Sequence, residues 1–372
     1  MNKIFTTFAF LFLLFTRDVA YPAESINPAG TSEKYSILKL IKTIEITPDE
    51  NYKTGGFCRV NYIKSLNKFI VTFGTGTYGN PGENTNPIPQ GQIYKEYDTE
   101  MNYTGSHGYF FHGGGDSACT VVDDYYYFLT GGPKGMRLIK YDPATWREVK
   151  RIEADIDRGA GENTGDQMLC YVNGVLDASG LFAPVKKPDP YRGESTWHRF
   201  YSKDLELIER KILSDTPHIN GSSMFFLNDI YYFVSSTAFF GDLIVMKYDK
   251  YWKYLGKKTL VADGQWPQQT IYDPSRDFFY IAYDDNSMRG SVNARLGIFD
   301  REWNLLETIH VTEFRPEDRK NAGRPSVTQY GNRLYFSYDV DTNTNGQTNF
   351  DWQAIVKIYE FVDLSSRQID EI

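Results

Sequence analysis

The sequence predicts an all-β protein, and three observations lead to that prediction. Aromatic residues make up 16% of the 372 residues, with 28 Tyr, 25 Phe and 6 Trp, and aromatic side chains favour strands over helices. No stretch of the chain carries the sustained i, i+3, i+4, i+7 apolar stripe of an amphipathic helix. A strand-rich unit recurs along the chain, which is typical of repeat architectures.

The recurring unit ends in an aromatic residue and an acid or a serine, with a bulky residue a few positions later. Its copies are Tyr97-Asp98 with Met101, Tyr141-Asp142 with Trp146, Tyr201-Ser202 with Leu205, Tyr248-Asp249 with Trp252, Phe299-Asp300 with Trp303, and finally Tyr359-Glu360. These aromatic residues lie about 44 to 60 positions apart, close to the length of a four-stranded propeller blade. The sequence therefore predicts a six-bladed β-propeller of four-stranded antiparallel blades, with five or seven blades as the alternatives.

Each unit contains four strands in a regular order, which the second unit illustrates. A first strand ends at Val122, the turn Asp123-Asp124 follows, and the second strand continues to Leu129. The third strand ends at Tyr141 and the fourth covers 149–152. Turn residues that tolerate a positive φ recur between the first two strands of other units, at Asn173-Gly174, Asn228-Asp229 and Gly331-Asn332.

The last unit lacks a fourth strand of its own, and we expect the N-terminal part of the chain to supply it. The segment 41–46 matches 306–311 position by position. Pairing it with the last blade closes the ring and leaves no exposed sheet edge. The expected domain is a single β-propeller over residues 34–363, followed by a polar tail over residues 364–372.

The first residues have the layout of a secretory signal. Lys3 precedes an apolar run from Ile4 to Phe15, which is too short to span a bilayer. We expect a signal peptide over residues 1–20, extending to about residue 23, and a secreted protein, either periplasmic or extracellular. Cys58, Cys119 and Cys170 are too few for a disulfide framework.

Composition excludes several classes of partner. The net charge is −8, and no basic run is long enough to follow a phosphate backbone, so nucleic acid is not expected. No later apolar stretch approaches the length of a membrane span. We expect a monomer.

This organisation resembles the secreted six-bladed β-propeller superfamily over nearly the whole chain. The chain carries neither the paired Gly-His and Trp-Asp signature nor the Ser-x-Asp-x-Gly-x-x-Trp box. The resemblance implies the fold. Similar proteins include glycoside hydrolases that use three carboxylates from successive inner strands; here the blade 1 segment 56–59 has no acid, and Glu162 is the nearest third carboxylate.

Candidate site residues lie where loops reach the mouth of the central channel, the default ligand site of such a fold. Candidate catalytic residues are Asp116, Asp166, His112 and His218; candidate ligand-binding residues are Trp266, Gln268, Arg324, Asn220 and Glu162. An aromatic face with charged groups suits a saccharide. Alternatively, the two aspartates accept backbone N–H groups within their loops, and each histidine is a solvated loop residue.

Three functions are compatible with these residues. The first is a binding protein for a saccharide or other small polar ligand. The second is a glycan-active enzyme, either a glycoside hydrolase, which needs a paired acid and base, or a polysaccharide lyase in which a histidine is the base and Arg324 neutralises a uronate. The third is a protein-interaction scaffold.

A calcium site is a further expectation. Asp341, Asn343 and Asn345 occupy positions 1, 3 and 5 of a calcium-loop pattern, Gly346 occupies position 6, and Asn349 follows. Position 12 is Trp352 rather than a bidentate glutamate. A plain Asn-Gly hairpin loop explains the same residues without a metal.

Overall fold

The computed structural model describes residues 37–46, 54–75, 91–110, 117–132, 135–155, 162, 167–182, 195–213, 218–238, 241–288, 290–341 and 352–362. The expected signal peptide and the polar tail lie outside these residues. No helix in the described part of the chain is long and apolar enough to cross a membrane. The described helical element is a single 3₁₀ turn at Pro316–Asp318.

The strands form six antiparallel blades in a ring, as the sequence predicts. The chain begins with β1 (Leu38–Ile46). Blade 1 follows with β2 (Thr54–Ile63), β3 (Lys68–Thr75), β4 (Gly91–Tyr97) and β5 (Tyr103–Phe110). Blade 2 has β6 (Ser117–Val122), β7 (Tyr125–Gly132), β8 (Gly135–Asp142) and β9 (Arg147–Asp155). Blade 3 has β10 (Met168–Val172), β11 (Val175–Phe182), β12 (Ser195–Tyr201) and β13 (Leu207–Leu213).

The other three blades repeat this order. Blade 4 has β14 (Ile219–Leu227), β15 (Ile230–Ser236), β16 (Leu243–Asp249) and β17 (Tyr254–Val261). Blade 5 has a divided inner strand, β18 (Gly264–Gln265) and β19 (Thr270–Asp273), then β20 (Phe278–Asp285), β21 (Asn293–Phe299) and β22 (Leu305–His310). Blade 6 has β23 (Ala322–Tyr330), β24 (Arg333–Asp341) and β25 (Trp352–Phe361).

The N-terminal strand closes the ring, which confirms the predicted closure. β1 pairs antiparallel with β25, from Leu38 opposite Phe361 to Ile46 opposite Ala354. The outermost strand of blade 6 thus comes from the start of the chain and the other three from its end. This pairing covers the edge that β25 would otherwise expose.

The acid of the repeat signature holds the turn between the third and fourth strands. Asp98 Oδ1 accepts the backbone N–H of Glu100 at 3.0 Å and of Asn102 at 2.8 Å, and Asp249 makes the equivalent pair of bonds. The bulky residue that follows adopts a positive φ in all five copies, with values of 52° at Trp146 and 64° at Trp303. Local hydrogen bonding therefore explains why an acid recurs there.

The bulky residues fill the space between blades. Trp303 is 1% exposed, stacks on Phe279 of its own blade at 3.9 Å, and lies 5.5 Å from Tyr232 of blade 4. The described buried apolar residues fall into six clusters, and each cluster joins two neighbouring blades around the ring. The core is thus a set of interfaces between blades, and the inner strands are left to line the axis.

Candidate functional site

The inner strands enclose a cavity on the propeller axis with a volume of about 310 Å³, at the lower end of small-ligand sites. Blades 1 to 5 contribute to its wall. The lining residues are Arg59, Ala118, Cys119, Thr120, Val121, Leu169, Cys170, Tyr171, Ser223, Met224, Phe225, Gln268, Gln269 and Thr270.

Arg59 holds blades 1, 5 and 6 together at this cavity. Its guanidinium donates from Nη2 to Gln268 Oε1 at 2.5 Å, and from Nη1 to the carbonyls of Cys58 at 3.0 Å and Arg324 at 3.2 Å. The side chain is 4% exposed, and all three partners are neutral acceptors. The positive charge of Arg59 is therefore hydrogen-bonded but not neutralised by these contacts.

The inner-strand segments of blades 5, 6 and 1 each contain a non-glycine residue in the left-handed region. The φ values are 48° at Trp266, 53° at Arg324 and 62° at Phe57. An L-residue in this region costs on the order of 1–2 kcal/mol, so neighbouring groups must hold it there. Such strain is often found at ligand sites.

Two buried aspartates lie against these strained residues, one blade back in each case. Asp339 Oδ2 accepts the Phe57 N–H at 2.6 Å, and Oδ1 accepts the Cys58 N–H at 3.2 Å. Asp284 occupies the matching position of blade 5 and interacts with the backbone and the guanidinium of Arg324. A carboxyl from one blade thus fixes the inner strand of the next.

Burial perturbs the acidity of both carboxyl groups. It raises the pKa of Asp339 to about 6, although the guanidinium groups of Arg324 and Arg59 oppose the rise. Burial also raises the pKa of Asp284 well above its ordinary value, again opposed by Arg324. Burial therefore favours the protonated form of both carboxyl groups, while the nearby guanidinium groups favour the ionised form.

The guanidinium of Arg324 lies among aromatic rings. Its central carbon is 4.3 Å from the ring centroid of Phe57, 5.0 Å from that of Trp352 and 5.6 Å from that of Trp266. Trp266 and Arg324 are half-buried. Arg324 Nη1 and Asp284 Oδ1 are both buried and have no hydrogen-bond partner in the described part of the chain.

Asp284 and Trp352 both lie close to Gly323. A Cβ built on this glycine would lie 3.7 Å from the Trp352 ring and 3.8 Å from Asp284 Oδ2. We call the six residues Phe57, Trp266, Asp284, Arg324, Asp339 and Trp352 the mouth cluster. The cluster adjoins the axial cavity through Arg59, which binds the Arg324 carbonyl and also lines that cavity.

A second polar network lies between blades 3 and 4 and contains His218. Thr196 Oγ1 is 2.8 Å from His198 Nε2 and 2.9 Å from His218 Nε2, and His198 Nδ1 is 2.9 Å from Asp177 Oδ2. All four residues are at most 2% exposed. The network links a carboxyl group, two imidazoles and a hydroxyl in one buried chain of contacts. His218 is thus a buried, hydrogen-bonded residue and not a solvated loop residue.

The structure brings together three of the predicted ligand-binding residues. Trp266 and Arg324 belong to the mouth cluster, and Gln268 binds Arg59 beside it. Glu162 instead accepts a bond of 2.6 Å from Arg199 of blade 3. Asn220 is part of β14, and its side chain is not described.

The remaining predicted residues are placed only in part. His112, Asp116 and Asp166 lie outside the described residues, as do Asn343, Asn345 and Asn349 of the expected calcium loop. Asp341 ends β24, without a described side chain. Among the described residues, no group of three His, Cys, Asp or Glu side chains is placed to hold a metal ion.

Sequence reasoning missed Asp284 and Asp339, although a signal was present. Tyr283-Asp284 and Tyr338-Asp339 both place an acid after an aromatic residue near the end of the second strand of a blade. Aligning second strands across the units would have marked the two acids as a pair. The repeat signature lies at the ends of the third strands and so does not include them.

Comparison with known proteins finds similarity in the backbone structure alone. No family model and no curated protein matches it. A subtype N10 neuraminidase-like protein of A/little yellow-shouldered bat/Guatemala/060/2010 shares 9% identity at a TM-score of 0.49, with 88% of this chain and 99% of that chain covered.

Two further solved structures are similar to the same limited degree. A GH43 protein from Bacillus licheniformis shares 11% identity at a TM-score of 0.45, covering 64% of this chain and 51% of that one. An alpha-L-arabinofuranosidase from Lactobacillus brevis shares 12% identity at a TM-score of 0.43, covering 64% and 89%. Backbone similarity of this degree carries no inference about activity, so the function of this chain rests on the chemistry of its own site.

Proposed function

We propose that the protein is a secreted binding protein that holds a saccharide or other small polar ligand at the mouth of its central channel. The observation that carries this proposal is the pair of buried, unpartnered polar atoms, Arg324 Nη1 and Asp284 Oδ1, within the aromatic mouth cluster. Buried polar atoms without partners are rare in folded proteins. A polar ligand would satisfy both.

The chemistry of the cluster suits a sugar ring. Aromatic side chains offer flat apolar faces against which the C–H face of a pyranose can stack. Trp266 is half-buried, so part of its surface is exposed. Arg324 and Asp284 supply a hydrogen-bond donor and a carboxyl group for hydroxyls, and charge-assisted bonds of this type contribute about 1.5–3 kcal/mol.

A glycan-active enzyme is the second candidate, and the acidity of the two aspartates favours it. Hydrolysis of a glycosidic bond uses one carboxyl as an acid and one as a base or nucleophile. Burial raises the pKa of both Asp284 and Asp339, and a raised pKa is what a carboxyl group needs to act as a general acid. Asp284 and Asp339 would be this pair, whereas the sequence pointed to Asp116 and Asp166.

A glycan array combined with a reducing-end release assay tests both functions. Binding without release supports the binding protein, and release supports the enzyme. Trp266→Ala should weaken binding about tenfold or more, equivalent to about 1.4 kcal/mol, while Tyr251→Ala, which removes an aromatic ring that is 79% exposed, should not.

The carboxyl variant separates the candidates further. Asp284→Asn should lower turnover by about 10²-fold or more if the carboxyl is a general acid. In a binding protein it should reduce affinity only. If Trp266→Ala and Asp284→Asn both bind the array ligand as the wild type does, the ligand site lies elsewhere.

Export is part of the same proposal. N-terminal sequencing of protein recovered outside the cytoplasm should show the loss of about the first 20 residues. Recovery of the intact N-terminus from the cytoplasm would contradict secretion.

A further inference from the structure

Two arginines and two buried aspartates meet at the channel mouth. Arg59 and Arg324 are permanently cationic. Burial raises the pKa of both Asp339 and Asp284, opposed by Arg324, and so favours the neutral form of each carboxyl group. The neighbouring Asp285 forms an ion pair of 2.9 Å with Arg295, so it is already neutralised.

The hydrogen bonds of the two arginines show which of them has a donor group left. Arg59 is bonded to two carbonyls and an amide oxygen, so its position is fixed by neutral groups. Asp339 uses both carboxyl oxygens for the backbone N–H groups of Phe57 and Cys58. Arg324 Nη1 has no hydrogen-bond partner among the described residues. Arg324 is therefore the arginine with a donor group left for a ligand.

The surroundings of Arg324 favour an oxygen anion as its partner. A guanidinium is a planar fork of donors that matches a carboxylate, and aromatic faces hold it without consuming its N–H groups. Phe57 and Trp352 lie at 4.3 and 5.0 Å from it. Burial raises the pKa of Asp284, and the neutral carboxyl group that burial favours can donate a hydrogen bond to an anion.

We infer that Arg324 binds a carboxylate of the ligand, so that the ligand is an acidic saccharide of the uronic acid class. This inference rests on the proposed function and names the ligand class of the same site. The aromatic ring of Trp266 would contact the sugar ring while Arg324 binds its carboxylate.

Matched sugars test the inference by isothermal titration calorimetry and ligand-observed NMR. D-glucuronate and D-galacturonate should each bind at least tenfold more tightly than D-glucose, D-galactose and the uronate methyl esters, and added NaCl should reduce the preference. The methyl ester removes the ligand charge without altering the protein, so this comparison does not depend on a folded variant.

Two arginine variants locate the effect. Arg324→Gln should abolish the preference for the uronate while keeping residual affinity for the neutral sugar. Arg319→Gln is the matched control, because Arg319 also adopts a positive φ, 50°, but is exposed, and it should keep the preference.

The outcomes separate this inference from the proposed function. Equal affinity for uronates and neutral sugars, or a preference that survives Arg324→Gln, overturns the inference and leaves a saccharide site in place. Failure of every neutral and acidic glycan on the array to bind overturns the proposed function itself.

Discussion

Asp339→Asn should change how the stability of the protein depends on pH. In the folded state burial raises the pKa of Asp339 from its ordinary value of 3.8 to about 6. Each pKa unit corresponds to about 1.36 kcal/mol, so the difference amounts to roughly 3 kcal/mol. The side chain is fully buried, so solvent does not screen this effect.

The direction in which the free energy of unfolding changes with pH follows from proton binding. Between pH 3.8 and about 6 the folded protein holds a proton on Asp339 that the unfolded chain has released. The free energy of unfolding contributed by this group is therefore greatest below pH 3.8 and falls as pH rises towards 6. Asparagine does not titrate, so the variant lacks this decline.

Urea unfolding followed by tryptophan fluorescence at pH 4.0 to 7.5 measures the effect. The free energy of unfolding of the wild type, minus that of Asp339→Asn, should fall by about 2 kcal/mol from pH 4 to pH 6.5, the larger part of the total, and then level off. A difference that stays constant over this range would show that Asp339 does not titrate there and would refute the assignment.

Asp98→Asn provides a control of opposite sign. Hydrogen bonds from the backbone and side chain of Asn102 hold the pKa of Asp98 below its ordinary value. Its contribution to stability is present above the unfolded pKa and is lost as pH falls. The wild-type-minus-variant difference should therefore rise with pH for Asp98→Asn, whereas it falls for Asp339→Asn.

Two further predictions concern closure and metal binding. Deleting residues 38–46 leaves β25 with an unpaired edge, so the protein should aggregate; light scattering that shows a monomer with an unchanged melting temperature would contradict this. Millimolar calcium should raise the melting temperature by binding the folded state, and Asp341→Ala should abolish the rise; an equal rise in the variant would place calcium elsewhere.

The fold could be predicted from sequence because its determinants are local. An acid two residues before the tip of a turn accepts backbone N–H groups from residues within four positions, as Asp98 and Asp249 do. Such a requirement repeats with the blade and is visible in a single unit. The closing strand was also visible, because its sequence matches that of another outer strand.

The site could be predicted only in part because its contacts join distant residues. Asp339 and Phe57 are 282 positions apart. The sequence around each of them is that of an ordinary strand, so nothing local marks either residue. Trp266 and Arg324 could be predicted because the sequence places each of them in a loop that leads to the start of an inner strand. The aspartates that support this region belong to the preceding blades, so a unit-by-unit reading did not connect them.

Ring closure and the mouth cluster both depend on contacts between blade 6 and blade 1. Asp339 of blade 6 holds Phe57 of blade 1, and Thr54 pairs with Trp352 across the same two blades. The cation–π contact of Arg324 with Phe57 also crosses this junction. A bound ligand that contacts Arg324 therefore acts on the interface between blades 6 and 1, and should stabilise the folded ring by an amount that rises with the logarithm of the ligand concentration relative to Kd. Removal of β1 should accordingly impair ligand binding even in the fraction of molecules that remains folded.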